Sequence, residues 1–95
     1  MKSLLCAALV ASGLVASGQA LAQADLAKKD GCLNCHDATA KKVGPSFKDV
    51  AAKYKGNAGA EATLVSKITA GKEHPAVKGA SQDDVKSLVK WILSM

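Results

Sequence analysis

Cys32, Cys35 and His36 form the run Cys32-Leu33-Asn34-Cys35-His36, a C-x-x-C-H spacing. Two thiols three positions apart, followed at once by an imidazole, make the attachment signature of a c-type haem. The spacing has a physical reason. Such thiols reach the two vinyl groups of one porphyrin and form thioether bonds, and the next residue then lies under the iron, where its imidazole serves as the proximal ligand. Covalent attachment also keeps a large cofactor on a chain too short to enclose it by packing alone. Three other chemistries compete for these residues. A redox-active pair of thioredoxin type needs a βαβ setting, and no segment alternates as a strand does. A zinc site needs a fourth ligand, and neither a second C-x-x-C nor a pair of histidines follows. A plain disulfide would close so small a loop that it would stabilise little.

The elements that must position this motif begin with a segment that is not part of the working domain. Lys2 is the only charge before Asp25, residues 4–15 are apolar or small, and Ala20-Leu21-Ala22 is an A-x-A site. A basic start, a short apolar stretch and a small-residue site predict a secretory signal peptide over 1–22, cleaved after Ala22, with Cys6 lost in the process. The apolar run is broken by Ser12, Gly13, Ser17 and Gly18, which argues against a membrane anchor, so no integral membrane segment is expected after processing. The domain is then 23–95, exported to the periplasm, and about 73 residues long. A chain of that size needs a staple or a large cofactor to build a core, and Phe47, Tyr54 and Trp91 are its only aromatics.

Every basic residue is lysine; removing Lys2 from the 13 leaves 12 against 8 acidic residues, a net charge of about +4. Nucleic acid is excluded as a partner by the exported compartment and by the lack of arginines and stacking aromatics. Lys41, Lys42, Lys48, Lys53 and Lys55 gather in one stretch. They are read either as a solvated face or as a patch that steers an acidic partner.

Glycine and proline punctuate the domain at Gly31, Gly44-Pro45, Gly56, Gly71, Pro75 and Gly79, and helical patterns lie between them. A short helix is expected from Asp25 to Lys29, with Leu26 as its apolar contact. Pro45 is expected to open a second helix with Phe47, Val50, Ala51 and Tyr54 on one face. A third runs from Ala60 to Ala70 and stops at Gly71. The last is capped by Ser81, with Asp84 three residues on, and buries Val85, Leu88, Val89 and Ile92. The fold class is therefore all-α, about four helices, with one structureless loop from Lys72 to Ala80; loops of that kind are often functional.

The runs C-L-N-C-H at 32–36, K-K-V-G-P-S-F-K-D-V-A-A-K-Y at 41–54 and V-K-S-L-V-K-W-I-L-S at 85–94, in this order and at these distances, resemble the class I cytochromes c of the small bacterial monohaem type. The resemblance spans nearly the whole of 23–95. It implies a class I cytochrome c fold around one covalently bound haem c and its iron, with the helix bearing Leu26 crossing the helix bearing Leu88, Trp91 and Ile92. It implies that the Pro45 carbonyl accepts a hydrogen bond from His36, which orients the ring and raises its basicity. It also implies a distal methionine in the loop before the last helix. Here the sequence departs from the pattern. The loop is shortened, and the only methionine after Met1 is Met95, the last residue. His74-Pro75 stands where Met-Pro would stand, seven residues before Ser81, so His74 is expected as the distal iron ligand, with Met95 as the alternative.

The expected function is that of a soluble monomeric electron carrier, not an enzyme, acting between redox proteins with acidic docking surfaces. The alternative is a haem protein with an open or displaceable sixth site, suited to gas binding or peroxidase-like chemistry.

Overall fold

The computed structural model describes residues 12–95 apart from Lys78, with side chains placed from Leu21 onward. The basic start and the first part of the apolar stretch of the expected export signal, residues 1–11, lie outside the described residues, as does Cys6. The described residues form four α-helices and no strand: α1 (Ser12–Lys29), α2 (Phe47–Lys53), α3 (Ala60–Ala70) and α4 (Gln82–Leu93), with a 3-10 turn over Cys32–Asn34. None of these helices is long and apolar enough to cross a membrane.

Two boundaries differ from expectation. α1 does not begin at Asp25 but runs without a break through the expected cleavage site. Ala16, Ala20, Ala22 and Ala24 favour helix, and the glycines at 13 and 18 cost too little to stop it. α2 is opened not by Pro45 but by Ser46, whose extended backbone and Oγ, accepting from Asp49 N–H at 3.1 Å, cap the helix. Pro45 stands one position outside. The next two free N–H groups of α2 are also taken up: Phe47 donates to the Asp37 carbonyl at 2.9 Å and Lys48 to the Ala38 carbonyl at 3.1 Å. α2 is thus tied to the chain leaving His36 by the donors that a helix start leaves unmatched. Ser46 is 1% exposed, so Ser46→Ala removes a buried cap and leaves the part-buried Asp49 N–H without its acceptor, which is expected to cost about 1–2 kcal/mol. Urea unfolding of the holoprotein measures this, and an unchanged midpoint would rule out the cap as a fixed point of the site.

α3 begins at Ala60 and ends where Gly71 turns left-handed (φ 69°), its N–H returning to the Lys67 carbonyl. α4 opens on Ser81, whose Oγ accepts from Asp84 N–H at 3.1 Å. α4 is the hub of the fold, packing against each of the other three helices. Its buried stripe is Val85, Leu88 and Val89. Val65 from α3 completes a cluster with Val85 and Val89, ringed by Leu64, Ile68, Ala80 and Leu93. Among the α1 residues whose side chains are described, Ala27 is fully buried, with Leu26 half-buried beside it. Apart from Phe47 and Leu88 the buried apolar side chains are alanine and valine. That is a thin core by area, and a large planar apolar group suits it.

Candidate haem site

The site begins where α1 ends. Gly31 adopts φ 81°, a left-handed turn that an L side chain resists. It sends the chain into the 3-10 turn that carries Cys32. Cys35 N–H and His36 N–H both return to the Cys32 carbonyl, at 3.2 and 2.9 Å. The three motif residues are therefore held on one tight turn. Cys32 and Cys35 are free thiols, half-buried. Burial, and then the negative charge of Asp30, push the Cys32 thiol up from its ordinary range. The pair is not a disulfide. Among the described residues no three or more His, Cys, Asp or Glu side chains come together as a metal cage.

The segment between motif and α2 folds back on His36. Asp37 builds a local turn, its carboxylate accepting from Thr39 N–H at 3.0 Å and Ala40 N–H at 2.9 Å. Those two bonds hold the Asp37 carboxyl below the usual carboxylate range. Gly44 N–H then donates to the Cys35 carbonyl at 2.7 Å, and His36 Nδ1–H donates to the Pro45 carbonyl at 2.6 Å. Phe47 lies against the His36 ring, centres 5.4 Å apart, and meets Trp91 of α4 edge-on at 5.9 Å. One side of the imidazole is so close to Gly44 that a Cβ there would collide with its Cε1 and lie 2.8 Å from Nδ1. At Gly44 the sequence signals only a turn before a helix, and this contact with the ring has no local signature.

His74 stands opposite. It is half-buried, and its Nδ1–H donates to the Pro75 carbonyl at 2.7 Å. Its ring centre is 6.1 Å from that of His36, with the planes 5° from parallel. Each histidine therefore has Nδ1 committed to a proline carbonyl, which leaves Nε2 as the nitrogen with a free lone pair. Metal–imidazole bonds are about 2 Å and the ring centre lies about 1 Å further out, so two imidazoles on opposite sides of one metal have centres about 6 Å apart. The separation fits that requirement. The two thiols, the paired rings and the thin core together fit a haem c.

Just upstream, Glu73 holds φ 60°, the one non-glycine in the left-handed region among the described residues. Its carboxylate pairs with Lys67 Nζ at 2.9 Å, and that ammonium holds the Glu73 carboxyl below its ordinary range. No spacing in the sequence announces this pair. Met95, the alternative ligand, is 40% exposed and lines a surface groove with Lys48, Tyr54, Lys55 and Asn57, a groove that contains neither histidine. Lys41, Lys42, Lys48, Lys53 and Lys55 are all exposed; Lys42 Nζ donates to the Leu33 carbonyl at 3.0 Å, beside the motif.

Residues 15–95 match the family described as cytochrome c. The chain is 39% identical to cytochrome c-552 of Nitrosomonas europaea, with 100% of this chain and 99% of that protein covered. It is 43% identical to cytochrome c-551 of Pseudomonas aeruginosa, covering 85% of this chain and 90% of the relative. The crystal structure of the class 1 cytochrome MtoD from Sideroxydans lithotrophicus ES-1 superposes with a TM-score of 0.70 at 42% identity, over 77% of this chain and 91% of that one.

Proposed function

This chain belongs to the cytochrome c family, whose members bind one covalent haem c and its iron, and we propose that it is an exported electron carrier with that iron between the imidazoles of His36 and His74. In this reading the signal peptide 1–22 is removed after Ala22, and the domain works in the periplasm as a monomer. The haem supplies a one-electron iron couple; everything else is the work of the chain's own residues. Cys32 and Cys35 anchor the group, so a domain with few large core side chains does not lose it. His36 is the proximal ligand, and the Pro45 carbonyl fixes its ring and raises the basicity of Nε2. His74, with Nδ1 on the Pro75 carbonyl, is the distal ligand on the same logic.

One observation supports this most strongly: two imidazoles 5° from parallel, 6.1 Å between centres, each with Nδ1 occupied by a proline carbonyl. Two nitrogen ligands keep iron low-spin and closed to substrates, which suits electron transfer with little rearrangement. They also predict a lower reduction potential than histidine–methionine ligation gives. The exposed lysines supply a positive surface that speeds brief encounters with redox proteins presenting acidic patches.

The test is the visible spectrum of the purified holoprotein in both oxidation states, with and without carbon monoxide. The reading expects low-spin spectra in both states and carbon monoxide uptake by the ferrous form only at concentrations far above those that fill an open haem iron. A high-spin ferric spectrum, or ready carbon monoxide binding, would instead assign the chain to gas binding or peroxide chemistry.

A further inference from the structure

His74 stands in a loop without regular secondary structure, yet its ring is aligned with His36 to within 5°. Loops that end in a ligand need something to hold them, and here the hold begins at the end of α3. The Lys67 carbonyl accepts from Gly71 N–H and from Lys72 N–H, the latter at 3.0 Å, so the chain leaves the helix in a fixed direction. Lys67 Nζ then reaches past this turn to Glu73 Oε2 at 2.9 Å. Glu73 is the residue held at φ 60°, in a region that a residue with a Cβ occupies only when its surroundings require it, and the next residue is His74. The side chains of the pair are 34% and 67% exposed. A pair so open to water adds little to global stability, and its worth lies instead in which backbone conformation it selects.

We propose that Lys67 is the positioning residue for His74: by holding the Glu73 carboxylate it keeps Glu73 left-handed, and so keeps the His74 imidazole facing His36. The proposal rests on His74 being the second iron ligand. Loss of the pair lets the loop return to ordinary backbone angles, with the imidazole withdrawn in a larger share of molecules. An external ligand then competes better for the iron, because its apparent affinity follows the fraction of molecules with an open site.

The experiment measures carbon monoxide affinity and reduction potential of the holoprotein for the wild type, Lys67→Met, Lys67→Arg, Glu73→Gln, Lys72→Met and His74→Ala, with urea midpoints alongside. Lys67→Met and Glu73→Gln are expected to raise carbon monoxide affinity about threefold, the effect of one exposed ion pair on a local equilibrium. Their urea midpoints should stay at the wild-type value. Lys67→Arg keeps the pair and should behave as wild type, and Lys72→Met, which removes a neighbouring charge outside the pair, should also leave affinity unchanged. If His74→Ala opens the iron but Lys67→Met leaves affinity and potential at wild-type values, the positioning role is overturned and the ligation stands. If His74→Ala changes nothing, both are overturned together. A threefold rise in Lys72→Met equal to that in Lys67→Met would also overturn the proposal, since the effect would then belong to loop charge.

Discussion

His74→Ala is expected to turn a low-spin protein into one with a vacant sixth position that takes up carbon monoxide. The physical basis is competition between an internal and an external ligand. A tethered imidazole that leaves the iron open in about 1% of molecules weakens an external ligand about 100-fold, and removing the imidazole restores that factor. His74 is well suited to be such a tether: it is half-buried, its Nδ1 is fixed on the Pro75 carbonyl, and its ring is parallel to His36. Carbon monoxide titration of the ferrous variant against the wild type measures the change. A variant that remains low-spin with wild-type affinity would mean that another group holds the distal position. The replacement lies in a loop with little buried area, so the unfolding midpoint of the haem-bearing chain should fall far less than the affinity rises.

Gly44→Ala is expected to damage the other side of the iron. An added Cβ would lie 2.8 Å from His36 Nδ1 and 3.0 Å from Nε2, and closer still to Cε1. The ring has no room to retreat. Nδ1 is held by the Pro45 carbonyl at 2.6 Å, Phe47 lies on it at 5.4 Å, and Gly44 itself is fixed to Cys35 at 2.7 Å. The methyl group must therefore displace either the imidazole or the Pro45 carbonyl. Overpacking of this kind costs about 1–3 kcal/mol, and the lost hydrogen bond adds about 1 kcal/mol. The expected result is a drop of about 2–4 kcal/mol in urea unfolding, together with a shifted reduction potential, because the imidazole loses the carbonyl that raises its basicity. Gly56 provides the contrast. It has φ +79° but nothing within 4 Å of an added Cβ, so Gly56→Ala should cost about 1–2 kcal/mol of backbone strain and leave the potential unchanged. Equal potentials for wild type and Gly44→Ala would show that the close contact does not govern the ligand.

How far the sequence leads can be judged residue by residue. α3 falls on the expected Ala60–Ala70 and α4 starts at the expected cap, because Gly71 and Ser81 act through bonds within a few residues of themselves. The α2 start is misread by two positions, Pro45 for Phe47, for a related reason. Pro45 and Ser46 both carry start signals, and the choice between them is made by Asp37 and Ala38, whose carbonyls receive the first helical N–H groups. The thiols and His36 are legible because the chemistry needs them side by side in sequence. His74 enters the proposed ligand set only through its place in the loop, since a lone histidine between Glu73 and Pro75 carries no local signal. Gly44 against His36, and Lys67 holding Glu73, were not legible at all. Each depends on two segments meeting in space, and no spacing rule describes a glycine whose value is the ring that approaches it.

The two ligation schemes part most directly in the proton NMR spectrum of the ferrous holoprotein. A methionine bound to haem iron has its methyl group inside the ring current of the porphyrin, so a three-proton resonance appears far upfield of all others. If His36 and His74 hold the iron, that resonance is absent, and ring-current-shifted imidazole signals from both histidines are present, one set disappearing in His74→Ala. An upfield methyl resonance assigned to Met95 would contradict the account.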